Sequence, residues 1–466
     1  MRSNHRPRTT SRRDVLRSML LGGLALGLPR CADDAAKGSG RPRIAIVGGG
    51  MGGVATAWLL DGAWDVTLYE ARPVLGGQVR TIAAGAAGSG DAAVEVDVGA
   101  QYYAPGLYPT YTRLLASLAL DAEAFEFDAT ITVLEAGLSD PRFVSPAPPD
   151  RTWPLSASWN ADGIAAFATM ALESPKLESD DVGYDLTVGA WLASIDLSET
   201  QREAIALPWI TGLSSGDVEQ VRQCSARALM RYLSATVGDD PFAVPRYRTQ
   251  RRGMIAAIQA LAGQCTTLEV RLDGAVTALA RSGDGFRVRT AAGSDRFDAL
   301  VLALPAEKAL PLLVDVAGSE RQRAALAGIQ FHDTRIAIHS QPTFAATDPQ
   351  SWSFVNMLHD GAYAEASMQL GTAIQGATLW KSWASHRSVE PGGIVHEEAF
   401  RHPLASPASV AAQAALRALA GEDGLWFVGG WMHPYDLQET AILSALDVAD
   451  ALNPGSARAA SLSETA

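Results

Sequence analysis

Three cysteines, Cys31, Cys224 and Cys265, are spread over 466 residues, too few and too far apart for a disulfide framework or a thiolate zinc cluster. Histidine is sparse too, with eight in all. His339 and His402 have no carboxylate or thiol at ligand spacing, so no metal site is expected. Clustered Lys and Arg are missing from the body of the chain, and the formal net charge is -13. Binding to a phosphate backbone needs the opposite, which excludes a nucleic-acid partner. No repeat, no sustained heptad and, past residue 42, no apolar run long enough to span a bilayer is present. The rest, 47% hydrophobic and 19% charged, is ordinary globular composition, and the length calls for two domains around a large core.

The first 42 residues stand apart. Basic MRSNHRPRTTSRR precedes the short apolar run MLLGGLALGL, which is too short to span a bilayer and reads as the core of an export signal. SRRDVLR, with Arg12 and Arg13 as the pair, resembles a twin-arginine signal, with Val15 where Phe is commoner and Arg17 where Lys is commoner. That likeness implies export of a folded, cofactor-loaded protein to the periplasm or cell envelope. Cys31 follows Leu28, Pro29 and Arg30, resembling a degraded lipoprotein box. A lipid on Cys31 is therefore a second, less favoured route to the membrane. ADDAAKGSGRPR then reads as a polar linker.

IAIVGGGMGGVATAWLL, residues 44 to 60, places an apolar strand, a glycine turn and a helical run in the order that a dinucleotide requires. Gly48, Gly50 and Gly53 form GxGxxG: the first for the tight turn, the second for close approach of a diphosphate, the third for packing of helix on sheet. Gly52 lies within the same turn, and the helix N-terminus supplies free N–H groups and partial positive charge. A second strand, DVTLYE, ends in Glu70, 17 positions beyond Gly53, where a carboxylate can accept from ribose hydroxyls. An incidental glycine turn explains the glycines but not the acid. FAD and NAD remain alternatives at this point.

EARPVLGGQVRT, which carries Glu70, Ala71, Arg72, Gly76, Gly77 and Gln78, has a second glycine pair directly after the ribose acid. It resembles the flavin-containing amine oxidase superfamily, whose pair is usually followed by Arg rather than Gln78. The likeness continues in order. VEVDVGAQYYAPGLYPTYTRLLASLAL resembles the segment with an acid and a glycine, Asp97 and Gly99, before a flavin-facing loop. RGMIAAIQALAG and the stretch through DALVLALP resemble the adenine-side block, with Val276 on its strand. GLWFVGGWMHPYDLQETAILSALDVADAL resembles the closing block, with Gly429, Gly430, Trp431, Glu439, Thr440 and Ala441 set toward the flavin. The chain is most similar to a bacterial branch described as predicted NAD/FAD-binding or FAD-dependent oxidoreductases. It departs where Gly-aromatic-His-Glu is usual, keeping only Glu439, and Ala441 replaces a glycine.

The resemblance implies FAD, held noncovalently because no cysteine stands in the closing block, in an α/β fold. That fold is a discontinuous Rossmann-type FAD-binding domain (residues 43–115, 245–305 and 420–453) and a mixed-sheet α+β substrate domain (116–244 and 306–419), after an export segment (1–42) and before a frayed tail (454–466). It implies a small, largely apolar substrate such as an unsaturated acyl chain, polyene or amine, with oxygen or another electron acceptor. The expected reaction is hydride removal from a C–H bond. A double-bond isomerase and a flavin-binding protein without turnover are the alternatives. For catalysis, Arg335 falls where the amine oxidases carry a lysine near the flavin, and His433 and Tyr435 follow the closing glycine pair. Trp431 is expected beside the ring system. Lys381, between Trp380 and Trp383, is read as an outward lysine on a strand in preference to a cation held over aromatic faces.

Overall fold

The computed structural model describes residues 40–85, 93–145, 158–237, 244–374 and 377–463. The twin-arginine pair, the apolar run after it and Cys31 lie outside the described residues.

Arg43–Val47 is buried from its second residue onward, as befits a β-rich run covered on both faces of a parallel sheet. It is the middle of five parallel strands ordered Leu268–Arg271, Asp65–Tyr69, Arg43–Val47, Ala299–Leu302 and Leu425–Phe427. The sequence neighbour lies on one side of this central strand and the later segments on the other. The strand order therefore reverses at its C-terminal end, where α/β sheets open a ligand crevice.

On one face of the sheet the helices Met51–Leu60, Ile255–Gly263 and Gln438–Leu452 pack through Val54, Trp58, Ile258, Leu261, Ile442 and Ala445. All ten residues of Met51–Leu60 are buried; the small side chains GGVATA let it lie deep between sheet and neighbours. On the other face lie a three-stranded antiparallel meander, Val276–Ser282, Gly285–Thr290 and Gly293–Phe297, and the helices Ala306–Leu312, Glu320–Ala327 and Pro407–Ala418. Ala309, Leu326 and Leu416 share a core with Ala45, Leu300 and Leu425. The first and last parts of 306–419 thus pack on the parallel sheet and not with the substrate half. Their apolar faces are complementary to the buried alternation of that sheet, a match invisible from spacing alone.

The second sheet is mixed. Its order is Ile394–Pro403, Phe331–His339, Trp380–Trp383, Tyr363–Gln369, Val355–His359, Ile131–Glu135 and Phe143–Val144, with Gly216–Asp217 beside Tyr363–Gln369. Only Val355–His359 and Ile131–Glu135 run parallel. The α/β class expected from the sequence, a Rossmann-type sheet assembled from distant segments with a mixed sheet beside it, is what the chain forms.

The chain end departs from expectation. Ala457–Leu462 is a helix with Leu462 1% exposed, and Arg458 donates to the Trp58 and Gln264 carbonyls. A buried leucine and a multiply bonded guanidinium hold it against the core, so it is not frayed. Among the described residues no helix is long and apolar enough to cross a membrane.

Candidate active site

Three chain segments meet at the C-terminal end of Arg43–Val47. Gly48 N donates to the Tyr69 carbonyl, and Gly76 N to the Gly49 carbonyl. A Cβ on Gly53 would stand 2.0 Å from the Gly48 oxygen, and one on Gly77, at φ +60, 2.9 Å from the Gly50 Cα. Gly52 packs against Gly429, so the closing segment reaches the same helix end. Gly50 is the N-cap of Met51–Leu60; it supplies no side-chain hydrogen bond, and no acid sits in the first turn. The first N–H groups of this helix are left for an anion. That cradle, open only because side chains are absent on its rim, fits a diphosphate.

Glu70 is 7% exposed. Its carboxylate accepts from Gly49 N at 2.8 Å and Arg72 N at 3.0 Å, which fixes its direction beside the glycine turn. Exposed Ala71 follows it. Gly274 N donates to the Glu70 carbonyl and Asp273 N to that of Arg72, bringing Val276 to the same edge. Glu70 and Arg72 are therefore tied to the turn that leads into Val276. Gln78 donates to the Arg401 carbonyl and lines the main cavity.

That cavity, about 230 Å³, opens between the two sheets. Gln78, Gly99, Ala100 and Gln101 form one wall, and Asp436, Leu437 and Gln438 enter from the closing segment. From the mixed sheet come Ile336, Lys381, Trp383, Phe400 and His402; from the helix Ala226–Val237 come Ala228, Leu229, Arg231 and Tyr232. A smaller apolar cavity of about 50 Å³ lies beyond Tyr102, Leu213, Tyr232 and Trp383, which line both.

Lys381 is the residue that sequence reading set aside. It is 0% exposed, and its Nζ donates to the Gly99 carbonyl at 2.7 Å and the Asp97 carbonyl at 3.2 Å, with the Trp383 ring 5.6 Å away. Burial lowers its pKa to about 7, opposed by the Asp97 charge. Asp97 accepts from Met254 N at 3.0 Å and from the Thr81 hydroxyl; burial raises it to about 7. A lysine between two tryptophans in LWKSW was the available signal. All three are held inside, since Trp380 is 4% exposed and Trp383 lines both cavities.

Arg335 does not face the cavity. Its guanidinium pairs with Glu397 at 2.6 Å and Glu390 at 2.9 Å and donates to the Ala384 carbonyl. Ile336, next in sequence, is the cavity residue. Successive side chains of a strand point to opposite faces, so one position in register decides this. His433 is corrected as well: it does not line the cavity, its Nε2 is buried without a partner among the described residues, and burial, then Arg417, lowers its pKa to about 4. Tyr435 does line the cavity.

Trp431 is 5% exposed within the core beneath the parallel sheet, and its carbonyl accepts from Gln413; it packs in that core and does not line the main cavity. Gly430 leaves room for Asp436, whose Oδ1 would lie 2.0 Å from a Cβ at that position. Glu439, 3% exposed, accepts from Thr110 N and Tyr111 N at 3.0 and 2.8 Å. Its carboxylate caps the helix Pro109–Ser117 and so is not free for a cofactor. Thr440 donates to the Leu437 carbonyl, and Ala441 N to the same carbonyl; both shape the start of Gln438–Leu452.

Two cavity groups were not foreseen as a pair. His402 Nδ1 lies 4.0 Å from Asp436 Oδ2. Burial lowers His402 to about 4, helped by His332 and Lys381, and raises Asp436 to about 6 against the hydrogen bond of Gln78.

The family model for flavin containing amine oxidoreductases matches residues 51–338, more than half of the chain. Among solved structures, cyclohexylamine oxidase from Brevibacterium oxydans IH-35A is 18% identical, with 88% of this chain and 99% of that one covered at a TM-score of 0.60. A CLA-producing fatty acid isomerase from P. acnes is 14% identical, with 87% and 97% covered and a TM-score of 0.60. Putrescine oxidase is 14% identical, with 88% and 99% covered and a TM-score of 0.63. At these identities the structures share the fold. No curated protein sequence matches the chain.

Proposed function

This chain belongs to the flavin-containing amine oxidoreductase family and is a flavin-dependent oxidoreductase; from that premise we propose that it holds FAD noncovalently and removes a hydride from a C–H bond of a small, largely apolar molecule. The observation that carries this reading is Lys381, buried at 0% exposure and held by two carbonyls at the cavity between the sheets. The isoalloxazine, when bound, supplies the hydride-accepting centre.

The chain's own residues do the rest. The uncapped start of Met51–Leu60 and Gly76–Gly77 take the diphosphate, and Glu70 takes the ribose. Tyr102, Tyr232 and Trp383 orient the substrate through apolar and aromatic contact and exclude water. Lys381, tuned by burial to ionise near neutrality, holds or releases a proton at Nζ as the substrate reacts. Noncovalent attachment is supported by the cysteines: Cys224 and Cys265 donate to the Gln220 and Leu261 carbonyls, and neither lines the cavity. Oxygen or another electron acceptor would take the electrons from the bound flavin. The N-terminal basic-apolar pattern supports export by the twin-arginine route to the periplasm or cell envelope, with a lipid on Cys31 as the lesser route.

The case for a flavin carrier without turnover rested on the missing histidine of the closing block and on an arginine in place of lysine; buried Lys381 at the cavity weakens the second ground. A double-bond isomerase is the remaining alternative, because one structure of this fold is a fatty acid isomerase by its own description. The test is to purify the full chain, precipitate it with acid and look for free FAD in the supernatant, then photoreduce the native protein and mix it with air. Yellow protein that releases FAD and reoxidises rapidly with peroxide is the expected result. Sluggish reoxidation with an isomerised product favours the alternative, and colourless protein that refuses FAD overturns the reading.

A further inference from the structure

We propose that the substrate carries a carboxylate, gripped by Arg231 and Tyr435 at the wall of the main cavity, with its apolar part directed past Tyr232 toward the smaller cavity. The inference rests on the reading of the cavity as the substrate site.

Charge supply is the first ground. Arg231 and Tyr435 both line the cavity, and the Arg231 charge acts on the Tyr435 hydroxyl. The helix neighbour of Arg231, Arg227, is neutralised by Glu178 at 3.0 Å and Asp181 at 2.8 Å. Arg231 has no such carboxylate among the described residues. A guanidinium in a half-buried wall that a tyrosine shares is a recognition element for a planar anion, since guanidinium and carboxylate match in a two-bond fork.

The second ground is what a cation would meet. Asp436 is the one carboxylate among the described residues lining the cavity. Its side chain is 17% exposed and lies 4.0 Å from His402 Nδ1, engaged within the wall with Gln78 as its hydrogen-bond partner. Lys381 lines the same cavity, but its Nζ is spent on the Asp97 and Gly99 carbonyls. An ammonium substrate would therefore meet the Arg231 guanidinium, with the one lining carboxylate turned to Gln78 and His402, whereas a carboxylate is drawn to Arg231.

Geometry supplies the third. Along Ala226–Val237, Arg231 lines only the main cavity, Tyr232 lines both, and Leu233 and Thr236 line only the smaller one. An anion at Arg231 therefore sits one residue from Tyr232, the shared wall of a space lined by Trp209, Val355, Met357 and Met368. The site accepts an apolar carboxylic acid, polar end at Arg231 and carbon skeleton inward.

The test uses the purified full chain loaded with FAD and titrates octanoate, octylamine and octan-1-ol by calorimetry and by flavin difference absorbance. Octanoate is expected to bind more tightly than the other two. Arg231→Ala should weaken octanoate at least about tenfold, the loss of a charge-assisted pair, while octan-1-ol changes less than twofold. Arg231→Lys should recover part of the loss, and an unaltered flavin spectrum shows that each variant is folded. Tighter binding of octylamine, equal octanoate binding by wild type and Arg231→Ala, or no octanoate binding at all overturns the proposal. Should the wild-type chain refuse FAD, the flavin reading fails, and the same calorimetric titration of the flavin-free chain still decides the carboxylate subsite.

Discussion

Lys381 and Arg335 sit on adjacent antiparallel strands, with Lys381 opposite Ile338 and Trp383 opposite Ile336. Residues directly opposite share a face, so Lys381, Trp383 and Ile336 meet the cavity while Arg335 turns to Glu390 and Glu397. Lys381→Met should lower turnover about a hundredfold or more with FAD still bound, whereas Arg335→Ala should leave turnover within about twofold; steady-state rates on flavin-loaded protein check both. Asp436 offers a pH test. Its folded pKa, about 6, lies above the ordinary 3.8, so the folded chain holds this proton more firmly than the unfolded chain. Stability from this group is present below about pH 4 and falls as pH rises through 6. Asp436→Asn should therefore raise the melting temperature at pH 7 relative to wild type and leave it nearly unchanged at pH 4, as scanning fluorimetry would show. A fall at pH 7 would mean that the charged form is the stabilised one.

At the scale of elements, the glycine turn was legible because each of its requirements is local. Strand, turn and helix follow one another, and a missing Cβ is a property of the residue itself. Gly77 at φ +60, with a Cβ position 2.9 Å from Gly50, is a case where an L side chain is strained and the space is already taken. Gly77→Ala should destabilise the protein by roughly 1–3 kcal/mol and weaken FAD binding, measured by flavin retention on gel filtration. The helix Gln438–Leu452 was legible too, but the role of Glu439 was not. Its partners, Thr110 N and Tyr111 N, lie more than three hundred residues away in sequence, so no local pattern could assign it to a helix end instead of a flavin. Trp431 was misplaced for a similar reason: an indole suits a ring-stacking wall and a core equally well, and only packing chooses.

For the whole molecule, the helix Ala457–Leu462 closes the described structure. Leu462 is 1% exposed, Arg113 donates to its carbonyl, and Arg458 bonds Trp58, Asp61 and Gln264. Removing residues 455–466 should cost about 3 kcal/mol, the loss of one buried leucine with its hydrogen bonds. The melting temperature should fall by several degrees with the flavin spectrum unchanged; an unaltered melting temperature would make the contact idle. From residue order alone came the strand, glycine turn and helix with Glu70, because these follow from short-range periodicity and a motif of fixed spacing; the flavin family, the discontinuous sheet and the mixed sheet beside it were what the resemblance of the ordered blocks implied. Which charged side chains face the cavity, Lys381, Arg231, His402 and Asp436 in place of Arg335 and His433, was decided only by the folded chain, since strand parity and burial depend on partners hundreds of residues away.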